Sequence, residues 1–140
     1  MANPSAVPRA DIEVWVAEGV VDYLGPTDDV RPCVGQADCV VLPSYREGVP
    51  RTLLEAAAMA RPVITTNAPG CRDTVIDSET GFLCRTADAS DLAEKILRFI
   101  ALTPDARLAM GQYGRIFMEK NFDERLVIQS YLKLVMKLQA

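Results

Sequence analysis

Two carboxylates separated by seven residues are the side chains of this sequence best suited to chemistry. Glu47 lies in a polar loop broken by Pro43, Gly48 and Pro50, and Glu55 lies in the Leu- and Ala-rich segment that follows. A carboxylate has two acceptor oxygens, so it can bind both hydroxyls of a vicinal diol in a ribose or another sugar. The pair indicates a sugar-binding site. From spacing alone, two solvated surface acids explain the pattern equally well.

The segment between the two acids has the features of a helix start that binds an anion. Pro50 suits the first helical position, because its φ is fixed and its missing N–H would have no partner there. The amides of Arg51, Thr52 and Leu53 follow, at the positive end of the helix dipole, and a phosphate is favoured beside them. One helical turn advances about 5.4 Å, so a sugar attached to a bound diphosphate would lie near Glu55.

A second loop could contribute to the same site. The β-branched run 63–66 predicts a strand, and ligands bind at the carboxyl edge of open parallel sheets. Gly70, in the loop after this strand, would let the backbone approach a bound group. The next amides, those of Cys71, Arg72 and Asp73, could form a turn that accepts an anion. An ordinary turn without a ligand explains these residues equally well.

The ordered motifs around these residues resemble one enzyme family. The motifs are LPS at 42–44, EGVPRTLLE at 47–55, APG at 68–70 and TGFL at 80–83. Their order and spacing are similar to the two-glutamate signature of retaining glycosyltransferases of the GT-B fold, the group 1 or family-four class. The likeness runs from about residue 20 to the end of the chain.

The resemblance implies roles for the residues of the motifs. Glu47, the candidate catalytic residue, would hold hydroxyls of the transferred sugar, and Glu55 would hold the ribose. Backbone amides between them would stabilise the departing diphosphate in place of a metal. The candidate donor-binding residues are Gly48, Val49, Arg51, Thr52, Leu53, Glu55, Gly70, Cys71 and Arg72.

The loop that follows the APG motif departs from the broad family pattern. Cys71 stands where many members have a second Gly, and Asp73 stands where they have Glu. This variant resembles a subset that builds bacterial surface polysaccharides. Because Asp is one carbon shorter than Glu, the donor contacts of the family do not carry over directly to Asp73, and Arg72 becomes a candidate contact for phosphate or sugar.

The resemblance implies transfer of a sugar, with retention, from a nucleotide-sugar donor to a glycan or lipid-linked acceptor. The donor is expected to be a UDP-sugar, the commonest among relatives. Two alternatives remain: a non-catalytic nucleotide-binding module, and half of a sugar-nucleotide epimerase, which generally relies on the His that this chain lacks. A glycosidase fits poorly, because its two carboxyl groups flank one bond about 5 to 9.5 Å apart.

The elements that position these residues predict an α/β fold. Alternating strands and helices indicate a Rossmann-like, doubly wound parallel sheet, incomplete at about four strands and followed by carboxyl-terminal helices. The strand 39–42 is an unbroken apolar run, which predicts burial on both faces. Ser90 or Asp91 is expected to cap one helix. The strands are predicted at 20–24, 39–42, 63–66 and 80–84, and the helices at 11–18, 29–37, 50–60, 90–102, 106–120 and 123–138.

The resemblance also implies missing parts. The family's carboxyl-terminal domain has two earlier strands, with an Arg and a Lys that usually grip the diphosphate, and neither strand is found here. We therefore expect residues 1–140 to form a single partial nucleotide-sugar-binding domain without the amino-terminal acceptor domain, inactive by itself. Apolar residues on more than one face of the last helix predict self-association, or contact with that absent domain.

Composition argues against several other classes. The formal net charge of -4 gives no broad basic surface for nucleic acid. With no His and no C-x-x-C pair among four Cys, we expect no metal and no cofactor besides the donor. The thiols are typical of a reducing, cytoplasmic compartment, and no apolar run approaches the roughly 20 residues of a membrane span. Peripheral membrane association is expected only in a longer parent protein.

Overall fold

A computed structural model describes residues 7–138 and divides the chain into two compact units, Met1–Val30 and Arg31–Ala140. In the first unit, helix α1 spans Arg9–Ala17, close to its predicted range. The predicted strand 20–24 is wrong: these residues find no strand partner in the described chain, and Leu24 is 73% exposed. A strand forms when its backbone N–H and C=O groups can bond to a second strand. An apolar run in the sequence does not by itself provide that second strand.

The second unit alternates helices and strands as predicted, and then ends in helices. Its elements are α2 (Arg31–Gln36), β1 (Val40–Leu42), α3 (Arg51–Ala58), β2 (Val63–Thr66), a 3-10 turn (Arg72–Thr74), β3 (Gly81–Cys84), α4 (Ala89–Ile100), α5 (Pro104–Asn121) and α6 (Glu124–Leu138). Strands joined through helices are the building pattern of a parallel sheet. The α/β expectation is therefore confirmed.

Within residues 7–138, the sheet has three parallel strands in the order β1-β2-β3. Val40 lies opposite Val63, and Ile64 lies opposite Phe82. The central strand β2 is buried along its whole length, whereas β1 is an edge strand whose Val41 is 40% exposed. The expectation that β1 is buried on both faces is wrong, because Val40 and Leu42 pack against the cluster of α3 whereas Val41, on the opposite face, is exposed.

Helices cover both faces of the sheet, which confirms the doubly wound arrangement. Alternate residues of a strand point to opposite faces. Accordingly, Val63 packs with Leu53 and Ala56 of α3, and Ile64 packs with Phe99 of α4 and Met110 of α5. The two apolar clusters fix α3 against one face and α4 against the other, so the loops before both helices lie at the carboxyl edge of the sheet.

Side-chain caps set where the later helices begin. Thr103 caps α5 by accepting a hydrogen bond from the Ala106 amide at 3.2 Å. Helix α4 is capped by Asp88, which accepts from the Asp91 amide at 2.9 Å. The prediction of Ser90 or Asp91 as the cap is wrong, because the Asp91 carboxylate accepts from the Arg85 amide instead.

The last helix is the least covered element of the second unit. No residue of α6 is buried within the described structure, and its apolar side chains are largely exposed. Among the helices of residues 7–138, none combines the length and apolar character required to cross a bilayer.

Candidate functional site

Two threonines of β2 hold the carboxyl end of β1 and the loop that follows it. The Thr65 hydroxyl donates to the Leu42 carbonyl at 2.8 Å, and the Thr66 hydroxyl donates to the Ser44 carbonyl. Both threonines are buried, so these bonds are protected from water. The loop that carries Glu47 therefore starts from a fixed position at the sheet edge.

Glu47 is oriented by the same loop. The Ser44 hydroxyl donates a hydrogen bond to Oε1 of Glu47 at 3.0 Å, while the Glu47 side chain stays exposed to solvent. Because the Ser44 carbonyl is itself bound by Thr66, the carboxylate is connected through two hydrogen bonds to the buried strand β2. The second oxygen of Glu47 remains open to a ligand hydroxyl.

Gly70 brings the two predicted loops into direct contact. Its φ is +82°, a left-handed value that favours glycine, and a Cβ there would lie 2.2 Å from the Gly48 carbonyl oxygen and 2.5 Å from that of Glu47. The sequence analysis predicted that the Gly70 backbone would lie close to a ligand. In the structure it lies close to the loop that carries Glu47 and Gly48. The loops that begin after β1 and β2 thus form one surface.

The start of α3 differs in detail from the prediction. Pro50 is the residue before the helix, with an extended ψ of 121°, and Arg51 is the first helical residue. The amide of Leu53 donates to the Pro50 carbonyl at 3.1 Å, so its predicted freedom is wrong. Within the described chain, the amides of Arg51 and Thr52 meet no acceptor. Two amides, rather than three, are available to an anion.

Glu55 lies one turn into α3, on its half-exposed side. Its carboxylate is 4.0 Å from Nε of Arg51, and its side chain is 47% exposed. Exposed pairs at this distance hold each other weakly, so the carboxylate is accessible to a ligand. It also lines a groove of about 320 Å³ between α3 and α5, together with Arg115, Met118 and Phe122.

The turn after Gly70 is held by two hydrogen bonds of its own. The Arg72 amide donates to the Ala68 carbonyl at 3.0 Å, and the Gly70 amide donates to Oδ2 of Asp73 at 3.3 Å. Cys71 is fully buried against α3. Of the three amides predicted to accept an anion, that of Arg72 is therefore already used, and the short Asp73 side chain closes the turn locally. Exposed side chains remain at Arg72 in this turn and at Val49 in the preceding loop.

A second concave region at the same edge was missed by the sequence analysis. It holds about 260 Å³ where the strands end and α4 begins, and its lining includes Tyr45, Thr66, Cys84, Arg85, Asp88 and Leu92. The signal was present, since the segment after β3 must reach the same edge as the other two parallel strands.

Charged groups beside this region are tightly paired. The hydrogen bond from the Arg85 amide, at 2.6 Å, holds the pKa of Asp91 below its usual range, and Lys95 adds to the effect from 3.4 Å. Burial, with the Asp91 charge as a smaller cause, raises the pKa of Cys84. Asp91 is thus a structural carboxylate that stays ionised at neutral pH.

Two of the thiols, those of Cys39 and Cys84, are poor candidates for chemistry. Burial raises the pKa of Cys39 to about 12, and Cys84 shifts in the same direction. A raised pKa leaves the thiol protonated, and the thiolate is the nucleophilic form. In the part of the chain with described structure, no three acidic or thiol side chains lie close enough to share a metal ion.

Comparison with known proteins gives the family. Residues 3–101 match the family model described as glycosyl transferases group 1. The chain is 34% identical over 133 residues to the N,N'-diacetylbacillosaminyl-diphospho-undecaprenol alpha-1,3-N-acetylgalactosaminyltransferase of Campylobacter jejuni, covering 94% of this chain and 34% of that enzyme. This chain therefore spans about a third of the length of that relative.

Solved structures show the same fold. Sucrose-phosphate synthase from Thermosynechococcus elongatus superposes with a TM-score of 0.81 at 29% identity, covering 98% of this chain and 36% of that one. Anabaena HepE, solved in complex with UDP, superposes with a TM-score of 0.82 at 22% identity, covering 91% of this chain and 35% of that one.

Proposed function

This chain belongs to the glycosyl transferases group 1 family, and we propose that it forms the donor-binding part of an enzyme that transfers a sugar from a nucleotide diphosphate with retention. The observation that carries the proposal is the contact of Gly70 with the Gly48 carbonyl. Because of this contact, the Glu47 loop, the start of α3 and the turn after β2 lie together at the carboxyl edge of the sheet. Open α/β sheets bind ligands at that edge.

The start of α3 supports a diphosphate site. The two amides of Arg51 and Thr52 lack protein partners in the described structure, and the positive end of the helix dipole lies behind them. These groups would stabilise the negative charge that develops on the departing diphosphate. Arg51, exposed beside them, adds a cation that can bind phosphate oxygens in a fork.

The two glutamates would bind the sugars on either side of the diphosphate. Glu47, held by Ser44, would accept hydrogen bonds from hydroxyls of the transferred sugar through its second oxygen. Glu55, one helical turn beyond the free amides, would accept from the two ribose hydroxyls. Neither acid needs to change protonation state in these roles, since both act as hydrogen-bond acceptors.

The names of related proteins support the choice of ligands. HepE shares the fold and was solved with UDP, which makes UDP the first nucleotide to test. The Campylobacter relative is named for a sugar linked through diphosphate to undecaprenol. A lipid-linked or polysaccharide glycan is accordingly the acceptor class we propose for the whole enzyme.

The direct test is calorimetry of this chain with UDP, GDP and ADP. We expect weak binding of a nucleoside diphosphate, and roughly tenfold weaker binding after Glu55→Gln, because an ionised acceptor is lost to the ribose. Glu94→Gln is the matched control, since Glu94 is another exposed helical glutamate in a loose ion pair, 3.7 Å from Lys95. Equal affinities of wild type and Glu55→Gln would contradict the ribose role.

A further inference from the structure

One pocket at the carboxyl edge of the sheet is not used by the proposed donor site. We call it the β3-edge pocket, and its principal lining residues are Tyr45, Thr66, Arg85, Asp88 and Leu92. Neither Glu47 nor any residue of α3 is among its lining residues. It is nevertheless adjacent to the donor site, because Tyr45 comes two residues before Glu47 in the same loop.

The size of the β3-edge pocket limits what can occupy it. Its volume is about 260 Å³, below the roughly 300 to 1,000 Å³ of pockets that enclose drug-sized ligands. A nucleoside diphosphate contains a base, a ribose and two phosphates, and is too large for this space. A single six-membered ring is an appropriate size.

The charges around the pocket favour a neutral ligand. The charged side chains of the lining are one cation and one carboxylate, Arg85 and Asp88, and they are paired at 3.0 Å. Arg85 also lies 3.6 Å from Asp91. Because these charges balance, a phosphate or carboxylate ligand would gain little over water, whereas hydroxyl groups can bind both signs of charge.

Polar groups with unused hydrogen-bonding capacity lie beside an aromatic ring. The guanidinium of Arg85 has five N–H groups, more than its carboxylate contacts use. Asp88 accepts from the Asp91 amide through Oδ1, and its oxygens retain further lone pairs. The ring of Tyr45 is 69% exposed, so it offers a flat apolar face at low entropic cost.

We propose that the β3-edge pocket binds one uncharged sugar ring other than the donated sugar, a ring of the acceptor glycan. The ring stacks its C–H face on Tyr45, and its hydroxyls bind Arg85 and Asp88. The inference builds on the proposed function, because it locates the acceptor's ring next to the residue proposed to hold the transferred sugar.

The test is an NMR titration of this chain with methyl α-glucoside and methyl N-acetyl-α-galactosaminide. We expect saturable shifts of the Thr66, Arg85 and Asp88 amides, and binding roughly fivefold weaker in Tyr45→Ala. Tyr45→Phe keeps the ring and should bind as the wild type does. Tyr131→Ala is the matched control, because Tyr131 is 67% exposed on α6.

A second variant separates binding from folding. Asp88→Asn retains a good helix cap, because Asn and Asp are equally favoured there, but it removes the carboxylate. We expect an unchanged Tm and binding at least threefold weaker. Unshifted pocket amides, or undiminished binding in both Tyr45→Ala and Asp88→Asn, would overturn the proposal.

Competition distinguishes this site from the donor site. With saturating UDP-glucose present, the methyl glycosides should still bind, because donor and acceptor rings occupy different places. Displacement by UDP-glucose would overturn the acceptor assignment. If the chain binds the methyl glycosides but does not bind UDP, that result would refute only the nucleotide part of the proposed function.

Discussion

At the scale of single residues, short polar contacts decide what each acid can do. Glu47 is exposed but oriented, through Ser44, by a hydroxyl of the buried strand β2. Asp73 closes its own turn by accepting from the Gly70 amide. Acids that look alike in the sequence are therefore held differently, because Glu47 accepts from a side-chain hydroxyl and Asp73 accepts from a backbone amide of its own turn.

Asp91 gives a prediction about pH. Its pKa is lowered mainly by the Arg85 amide, so its stabilising effect is complete above the ordinary Asp pKa near 4 and is lost as pH falls through the lowered value. Asp91→Asn should lower the Tm by several degrees at pH 7, and the difference should narrow only below about pH 4.

Thermal denaturation between pH 7 and pH 2 checks this prediction. Asp105→Asn is the control, since Asp105 lies exposed in the first turn of α5 and should change Tm little at any pH. A difference between wild type and Asp91→Asn that is the same at pH 2 and at pH 7 would show that the charge of Asp91 is not the cause.

At the scale of elements, close backbone approach fixes α5 against the end of α3. A Cβ at Gly111 would lie 2.0 Å from the Ala60 carbonyl oxygen, whereas at Gly114 the nearest atoms are 3.7 Å away. Both glycines are buried in the same helix. The two positions therefore separate the packing effect of a methyl group from its effect on helix propensity.

Gly111→Ala is expected to lower the free energy of unfolding by about 1 to 3 kcal/mol, because the added methyl group overpacks a rigid carbonyl. Gly114→Ala should leave that free energy unchanged or raise it by up to about 1 kcal/mol, since Ala favours helix more than Gly does. Urea denaturation of both variants measures the difference. Equal effects would contradict the close contact.

The strands illustrate how neighbours override local preference. The run at 63–66 and the run at 20–24 both look like strands, yet only the first lies between two partners in the described structure. Backbone groups of an isolated run bond equally well to water, so strand formation depends on a partner from elsewhere in the chain.

At the scale of the whole molecule, α6 presents an uncovered apolar face. Residues at helical spacing form this face, namely Ile128, Tyr131, Leu132, Val135 and Leu138, and all are exposed. Gln129 and Lys133 lie on the other side of the helix. A contiguous exposed apolar stripe of this kind is typical of a surface that another chain or domain covers.

We therefore predict concentration-dependent self-association of this chain through α6. Sedimentation velocity should show a dimer at high concentration, and Leu132→Ser should weaken it roughly tenfold or more by removing buried apolar area. Leu126→Ser is the matched control, because Leu126 lies off the stripe. A monomer at every concentration would rule out this role for α6.

The sequence by itself determined features that depend on near neighbours in the chain. The α/β alternation, the strands at 63–66 and 80–84, and the two-glutamate motif of the family were all predicted from local patterns. Each rests on backbone preferences or side chains within a few residues, which a linear sequence displays directly.

Only the tertiary structure decided which distant residues meet. Thr66 binds a carbonyl 22 residues earlier, Gly70 fits against Gly48, and Tyr45 shares a pocket with Arg85. It also decided that three strands, not four, pair in the described part of the chain, and that the Leu53 amide is already used. These outcomes depend on packing between elements that are distant in the sequence. The order of strands in a sheet and the contacts between loops produce no repeating pattern of residues that could be recognised in the sequence.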